Sequence, residues 1–510
     1  MKKIYFSLML LATLLVSSCS METTPFGELD DKTAIRNEKD LQQFRNTLYG
    51  NLRGGTSGSW LYLQDLAMDE FVGTISNGNR NGQINGGDIK SSDSYIEGKW
   101  GSCYGAIATA NKLIEEADKL LAGDVTDAQK TTINRYRAEA QFTRAYFLFY
   151  LADHFCDSYT QTDPAKEHTG LPLQVTYNPT GNASIYPDRS TLAETFALIE
   201  SDLTDAYNGL KAYEATGASD VAALLAPNAT YLSSYAVECM QARVALVKGD
   251  WTTALAKAKD VIDSHRYSLT TIADYAKLWG DDEGNEVIFR PFMSPTELGG
   301  SVGGAYISAN NQTCDYLPTF AMLNLYGEGD VRFDTFFAVN QTLIVEGSQY
   351  ACYQFNKFPG NATLRTGSTN NLVNMAKPFR LSEMYLIAAE ASARTNADGS
   401  QYMNDFLANR IEDYEPGTYN ANALLTLTLQ QRQLEFVGEG FRMSDLRRLG
   451  QGFSRTADYP AGTTLGLLNG IITNKSNVTY EAGDHRYTWP IPQTELDANP
   501  KLKPQQNKGY

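Results

Sequence analysis

The feature that most constrains this chain is a recurring pattern of helix pairs with small residues where two helices would touch. Residues 137–148 (RAEAQFTRAYFL) mix small and large apolar side chains, as closely packed helices require. Between 190 and 265, a Gly249-Asp250 turn separates two such stretches, and small residues follow tetratricopeptide-type spacing: Ala236, Ala242, Ala245 and Ala254. Further pairs occur at about 378–412 and 423–449. The sequence therefore predicts a mostly α-helical fold built on a helical-repeat scaffold.

We place the helical scaffold at about 97–265 and 378–450. Two segments outside these ranges interrupt it. Residues 54–95 and 268–375 are rich in Gly, Asn, Ser and Tyr and lack sustained helical periodicity, most clearly in 76–88 (SNGNRNGQINGGD). We interpret both as long, loop-rich insertions with minor β structure. Within the second, the acidic residues 281–286 are predicted to form a solvated turn before a strand at Val287–Phe289. Rigid scaffolds commonly carry their binding sites on such loops.

The N-terminus has the pattern of an export signal. Residues 1–18 (MKKIYFSLMLLATLLVSS) contain two lysines, an apolar stretch and small residues, followed directly by Cys19. This arrangement resembles the bacterial lipobox, in which the chain is cut before the cysteine and the cysteine is acylated. It predicts a lipoprotein signal peptide at 1–18, lipid attachment such as palmitate at Cys19, and a mature single domain at 19–510. A soluble secreted protein is the alternative.

Composition excludes several functional classes. The net charge is −16, and no lysine–arginine cluster is present, which argues against nucleic-acid binding. No apolar run after the N-terminus is long enough for a multi-pass membrane protein. The other five cysteines show no C-x-x-C spacing; we predict buried free thiols, with one or two disulfides left open: Cys103, Cys156, Cys239, Cys314 and Cys352.

Sequence motifs for catalysis are missing. The chain has no G-x-S-x-G elbow, H-E-x-x-H helix or Walker loop, so we predict no enzyme activity, no metal and no cofactor. A glycosidase carboxylate pair could still lie among the 59 acidic residues, which leaves a surface glycoside hydrolase as a less favoured alternative.

Four segments resemble one known family. Residues 100–111 fit W-x-x-x-Y-x-x-I-x-x-A-N, and 380–391 fit R-x-x-E-x-Y-L-x-x-A-E-A. Residues 432–448 fit R-x-x-E-x-x-x-E-G-x-R-x-x-D-L-x-R, and 489–500 fit W-P-I-P-x-x-E-x-x-x-N-P. Together they resemble the SusD/RagB family of outer-membrane nutrient-binding lipoproteins. The charged residues of the third motif stand at helical spacing, so we predict a structural network with pairs three or four residues apart: Arg432, Glu435, Glu439, Arg442, Asp445 and Arg448.

The resemblance implies a SusD-like fold and a specific task. The protein would be lipid-anchored and surface-exposed on a Gram-negative outer membrane, where it would bind oligosaccharides and deliver them to a SusC-like TonB-dependent transporter. The alternative within the family is RagB-like binding of oligopeptides. Neither task requires a cofactor or a catalytic step.

The resemblance places the ligand on the insertions, where we chose candidates by composition alone. Sugar sites combine aromatic faces with amide, carboxylate or guanidinium groups at the ring edge. Trp60 and Tyr62 follow the Gly-Ser run at 54–59, where we expect their rings to project into solvent. Tyr306 and Tyr316 flank an amide cluster at 310–312. The remaining candidates are polar groups near the first pair: Asn77, Asn79, Arg80 and Asn81.

Overall fold

The structure is a computed structural model that describes residues 34–76, 80–308, 310 and 312–510. The predicted signal peptide and Cys19 lie outside this range. Helices dominate, which confirms the predicted fold class. They are α1 (Glu38–Gly55), α2 (Ser59–Ala67), α3 (Gly82–Asn85), α4 (Ser94–Leu121), α5 (Asp127–Phe155), α6 (Leu192–Glu214), α7 (Val221–Leu224), α8 (Ser234–Lys248), α9 (Trp251–Asp263), α10 (Tyr275–Gly280), α11 (Phe320–Leu323), α12 (Val331–Phe336), α13 (Leu381–Arg394), α14 (Ser400–Leu407), α15 (Ala421–Phe436), α16 (Arg442–Arg448) and α17 (Gln493–Ala498).

The β structure is minor, as predicted. Within the described ranges the strands pair as two-stranded antiparallel ribbons: β1 with β3, β2 with β6, β4 with β5, and β7 with β8. Their bounds are β1 (Phe71–Gly73), β2 (Val287–Phe289), β3 (Tyr316–Pro318), β4 (Phe337–Val345), β5 (Ser348–Phe355), β6 (Phe379–Arg380), β7 (Phe453–Arg455) and β8 (Val478–Tyr480). The strand expected at Val287–Phe289 is confirmed.

The scaffold consists of long helices whose ends are set by local sequence. Helix α5 begins with a capping box between Thr126 and Gln129. Helix α8 ends at Gly249, whose φ of 74° suits glycine, and Asp250 then caps α9 by accepting from the Thr253 amide. The predicted Gly249-Asp250 turn is therefore confirmed. Helices α4, α5 and α6 pack in series, as do α8, α9, α13 and α15.

A continuous apolar core joins the scaffold to the insertions. Phe142 of α5 is completely buried, and it belongs to the same buried apolar cluster as Phe71 of the first insertion and Tyr306 of the second. All five cysteines after Cys19 are buried free thiols, as predicted. None of the helices described here is long and apolar enough to cross a membrane.

The charged motif residues are paired, and all but half-buried Arg442 are buried, but their partners are mostly not neighbours in sequence. Arg380 donates to Glu435 at 2.8 Å and to Glu439 at 2.6 Å, while Arg442 pairs with Asp69 at 2.6 Å. We expected the motif residues to pair at helical spacing. The Asp445–Arg448 ion pair has that spacing, whereas the three pairs just named do not. The network therefore connects distant segments of the chain instead of stabilising one helix.

The same network corrects the prediction for residues 281–286. Glu286 is completely buried and accepts hydrogen bonds from Arg380 at 2.7 Å and Arg410 at 3.0 Å. Asp282 is also buried and forms an ion pair with Lys377 at 2.5 Å. The segment is therefore solvated only in part: Asp281 and Glu283 are exposed, as predicted, whereas Asp282 and Glu286 are buried against cations from the second half of the chain.

Candidate functional site

Arg80 connects the two loop-rich insertions. Its guanidinium forms an ion pair with the buried carboxylate of Asp315, and its Nη2 donates to the Gly304 carbonyl at 3.2 Å. Its own carbonyl accepts a hydrogen bond from the Tyr316 hydroxyl. Strands β1 and β3 reinforce the connection by pairing Val72 with Leu317. Residues separated by more than 200 positions therefore contribute to one surface, and 55% of the Arg80 side chain stays exposed there.

Tyr306 and Tyr316 lie beneath this surface. Both are completely buried, so the expectation that these rings are available to a ligand is wrong. The reason is packing: the centre of the Tyr306 ring lies 4.7 Å from the ring centre of Phe71 and 4.7 Å from that of Phe355. Burial also raises the pKa of Tyr306 well above its ordinary value. The two tyrosines instead flank the antiparallel bridge between Ile307 and Cys314.

The turn at Asn310 presents amide groups to solvent. Asn310 and Gln312 are exposed, and the Asn310 side-chain oxygen accepts from the Gln312 amide at 3.1 Å and from the Ser308 hydroxyl at 2.5 Å. The Ile344 amide donates to the Gln312 carbonyl at 2.8 Å, which ties the turn to β4. Two members of the amide cluster noted in the sequence, Asn310 and Gln312, are therefore exposed, and Asn311 lies outside the described residues.

Trp60 and Tyr62 lie on helix α2, not in a loop. The Trp60 ring packs 4.7 Å from Tyr150 and 6.1 Å from Phe147, and the Lys99 ammonium lies 3.9 Å from the centre of the Trp60 ring. Because of these contacts with the scaffold, the Trp60 ring faces the interior and does not project into solvent as expected. Tyr62 is half-buried; burial raises its pKa, and the charge of nearby Arg80 partly opposes this effect.

Asn81 begins the short helix α3 at a φ of 57° and is exposed. Asn77 and Asn79, the remaining polar candidates, lie outside the described residues. The structure thus places Arg80 close enough to Tyr62 for its charge to act on that phenol, and Arg80 contacts the second insertion, which also carries the exposed amides of Asn310 and Gln312. We call this set the loop surface: Tyr62, Arg80, Asn81, Asn310 and Gln312.

The loop surface offers hydrogen bonding and one aromatic face. Its guanidinium and amides can donate to and accept from hydroxyl groups, and the Tyr62 ring can contact a C–H face. Among the residues described, no group of three or more His, Cys, Asp or Glu side chains is placed to hold a metal ion. Sequence reasoning missed Asp315, which orients Arg80, because no local pattern marks a partner 235 positions away.

Comparisons with known proteins agree with this architecture. Residues 266–510 match the family model described as "SusD family", and residues 24–225 match the model described as "Starch-binding associating with outer membrane". No curated protein matches the chain.

Solved structures extend the likeness to nearly the whole chain. A SusD superfamily protein from Bacteroides thetaiotaomicron is 25% identical with a TM-score of 0.76, covering 92% of this chain and 100% of its own. A structure from Bacteroides vulgatus, described as a putative sugar binding protein, is 25% identical with a TM-score of 0.74, covering 94% and 100%. A SusD-like carbohydrate binding protein from the same species is 20% identical with a TM-score of 0.69, covering 92% and 98%. The two family models and these shared architectures show that the chain belongs to the SusD/RagB family.

Proposed function

We propose that this protein is a cell-surface lipoprotein that binds oligosaccharides at the loop surface and delivers them to a SusC-like TonB-dependent transporter. The observation that carries the proposal is the exposed guanidinium of Arg80, which Asp315 holds between the two insertions and whose charge acts on nearby Tyr62. Similarity to a model named for starch binding and outer-membrane association, and to structures described as sugar-binding, supports the ligand class and the location.

The mechanism would be capture and handover without bond cleavage. Sugar hydroxyls would exchange hydrogen bonds with water for bonds to Arg80 and the amides of Asn81, Asn310 and Gln312, and Tyr62 would cover a C–H face. A binder tethered through Cys19 raises the effective ligand concentration at the transporter. Acyl chains contribute about 0.8 kcal/mol per buried CH₂, so two or more chains would hold the protein stably.

Calorimetry on the mature chain, residues 19–510 in detergent, tests the binding step. It should be titrated with neutral oligosaccharides and, separately, with mixed oligopeptides. We expect saturable oligosaccharide binding that Arg80→Ala weakens by about ten- to hundredfold, since a hydrogen bond to a charged group contributes about 1.5–3 kcal/mol. Tyr62→Ala should also weaken binding, because it removes the aromatic face. Matched controls are Tyr385→Ala on scaffold helix α13 and Arg266→Ala after α9, which should leave the affinity unchanged.

Other results would redirect the proposal. Binding confined to oligopeptides would assign the protein to the RagB-like alternative. Released sugar products after long incubation would show that it is an enzyme. Equal losses of oligosaccharide affinity in the loop-surface variants and the control variants would show that the loop surface is not the binding site.

The anchoring and delivery steps have separate tests. Cys19→Ala should move the protein from the outer-membrane fraction to the soluble fraction, because the acyl attachment point is lost. Purification of the wild-type protein from native membranes should recover a TonB-dependent transporter in stoichiometric amount. Recovery without such a partner would refute the delivery step and leave the binding step unaffected.

A further inference from the structure

A cleft separate from the loop surface opens on the other side of helix α2. It has a volume of about 110 Å³ and lies among α2, the C-terminal part of α5, helix α8, residues 439–445 and a wall that includes residues 374–378. Trp60, Leu61 and Gln64 of α2 line it, whereas Tyr62 lies near Arg80 at the loop surface. Substitutions can therefore address the two places independently.

The walls of the cleft are largely aromatic. Trp60, Tyr146 and Phe441 are half-buried side chains that line it, and Tyr150 and Trp279 line it from buried positions. Flat rings favour ligands that present an apolar face of C–H groups.

Five buried side chains that line the cleft each carry a polar atom without a hydrogen-bond partner among the described residues. These atoms are Gln64 Oε1, Tyr150 Oη, His154 Nε2, Trp279 Nε1 and Arg432 Nη1. None of the five residues is more than 8% exposed. Buried polar atoms in native proteins nearly always have a partner, so this concentration around one cleft points to a polar occupant.

The unpaired atoms form a mixed set of donors and acceptors. Trp279 and Arg432 can only donate, and Gln64 Oε1 can only accept. His154 Nδ1 lies 2.8 Å from the Tyr150 carbonyl and must donate to it, which leaves Nε2 as an acceptor in the neutral ring. Burial lowers the pKa of His154 to about 3, so the ring is neutral at physiological pH. Hydroxyl groups, which both donate and accept, match such a set.

The ionic side chains around the cleft are already neutralised within the protein. Arg243 donates twice to Glu383, at 2.7 and 2.6 Å. Lys377 pairs with Asp282 at 2.5 Å, and Arg432 pairs with Asp445 at 2.9 Å. A charged ligand would bring an uncompensated charge into a partly desolvated site, which is costly. The cleft therefore favours a neutral ligand.

The volume limits the size of the occupant. A buried water needs roughly 10–15 Å³ on this measure, so 110 Å³ holds about ten water-sized groups. That matches one sugar-sized ring with its hydroxyls. We propose that this cleft is a second binding site, which takes one neutral polyhydroxylated ring of monosaccharide size. The assignment does not depend on oligosaccharide binding at the loop surface.

Calorimetry on the mature chain tests this site with neutral monosaccharides and their uronic-acid and amino-sugar counterparts. We expect saturable binding of at least one neutral monosaccharide and weaker binding of its charged counterparts. Leu61→Phe, which adds volume at the cleft without removing a hydrogen bond, should abolish binding. Tyr385→Ala, on scaffold helix α13 and not part of the cleft lining, should leave monosaccharide binding unchanged.

Tyr150→Phe provides a second readout that a purely structural hydroxyl would not give. It should weaken monosaccharide binding by about three- to tenfold while leaving thermal stability equal or higher, since the lost hydroxyl has no protein partner. Tyr104→Phe is the matched control: its hydroxyl donates to the Pro172 carbonyl at 2.9 Å, so stability should fall and binding persist.

Three outcomes would overturn the assignment. They are no binding of any neutral monosaccharide at millimolar concentration, preference for a charged sugar, or a crystal structure in which ordered water alone occupies the cleft in saturating monosaccharide. If the cleft fails while oligosaccharides still bind at the loop surface, the proposed function is unaffected.

Discussion

Replacing Asp445 with asparagine should destabilise the protein through the buried charge network. The Asp445 carboxylate accepts from Arg432 Nε at 2.9 Å, from Arg432 Nη2 at 3.1 Å and from Arg448 Nε at 2.8 Å. Burial alone would raise its pKa, but the two guanidinium groups outweigh burial and lower the pKa from 3.8 to about 2. A difference of this size corresponds to about 2 kcal/mol of stabilisation of the folded state at neutral pH.

The substitution also leaves two buried guanidinium groups facing an amide, and breaking a buried ion pair typically costs about 3–5 kcal/mol. We therefore expect Asp445→Asn to lower the free energy of unfolding by about 2–5 kcal/mol. Urea denaturation followed by circular dichroism measures it, with Asp497→Asn as the control. Asp497 pairs with Lys503 at 3.3 Å on the surface, with 61% of its side chain exposed, so its loss should matter little.

The pH dependence identifies the cause. Because the folded-state pKa of Asp445 is depressed, its stabilisation is complete above about pH 4 and is lost as the pH falls towards 2. The difference between wild type and Asp445→Asn should therefore shrink by about 1 kcal/mol between about pH 5 and pH 3. The reasoning would be refuted if Asp445→Asn were as stable as the Asp497→Asn control. It would also be refuted if the difference in unfolding free energy between wild type and Asp445→Asn did not change between about pH 5 and pH 3.

Three further substitutions test other parts of the structure. Gly58→Ala should cost about 1–3 kcal/mol in thermal unfolding, because φ is +57° and the added Cβ would lie 2.8 Å from Gly300 Cα. Gly54→Ala is its control, since a Cβ there meets no atom within 4 Å. Thr126→Ala removes the capping box of α5 and should cost about 0.5–2 kcal/mol in urea denaturation. Burial raises the pKa of Asp153 from 3.8 to about 6. The free energy of unfolding of wild type should therefore fall by up to about 3 kcal/mol relative to that of Asp153→Asn as the pH rises from about 4 to 7. Parallel pH profiles of the two proteins would contradict this.

The scaffold could be predicted because its signals are local. A glycine in the left-handed region followed by a capping aspartate ends one helix and begins the next, and both residues are adjacent in sequence at Gly249 and Asp250. The partners in the charge network could not be predicted in this way. Glu435 pairs with Arg380 and Arg410, which are 55 and 25 positions away, and no spacing rule specifies such contacts.

The loop surface was predictable only in part for a similar reason. Composition located Arg80 and the amides, but it could not distinguish a ring that faces solvent from one that faces the core. Tyr306 and Tyr316 stand in an insertion rich in polar residues, yet contacts with Phe71 and with the Arg80 carbonyl hold them inside. Those contacts arise only when the first and second insertions meet.

Trp60 and Tyr62 show how one missed helix changes a functional prediction. Treated as loop residues, they formed a single candidate cluster. On a helix, residues two apart point about 200° from each other, so the two rings cannot share one surface once Ser59–Ala67 is helical. Trp60 accordingly lines the cleft, and Tyr62 lies beside Arg80. Alanine substitutions at these two positions therefore test two different sites, and a loss of oligosaccharide binding at Tyr62 should not be accompanied by the same loss at Trp60.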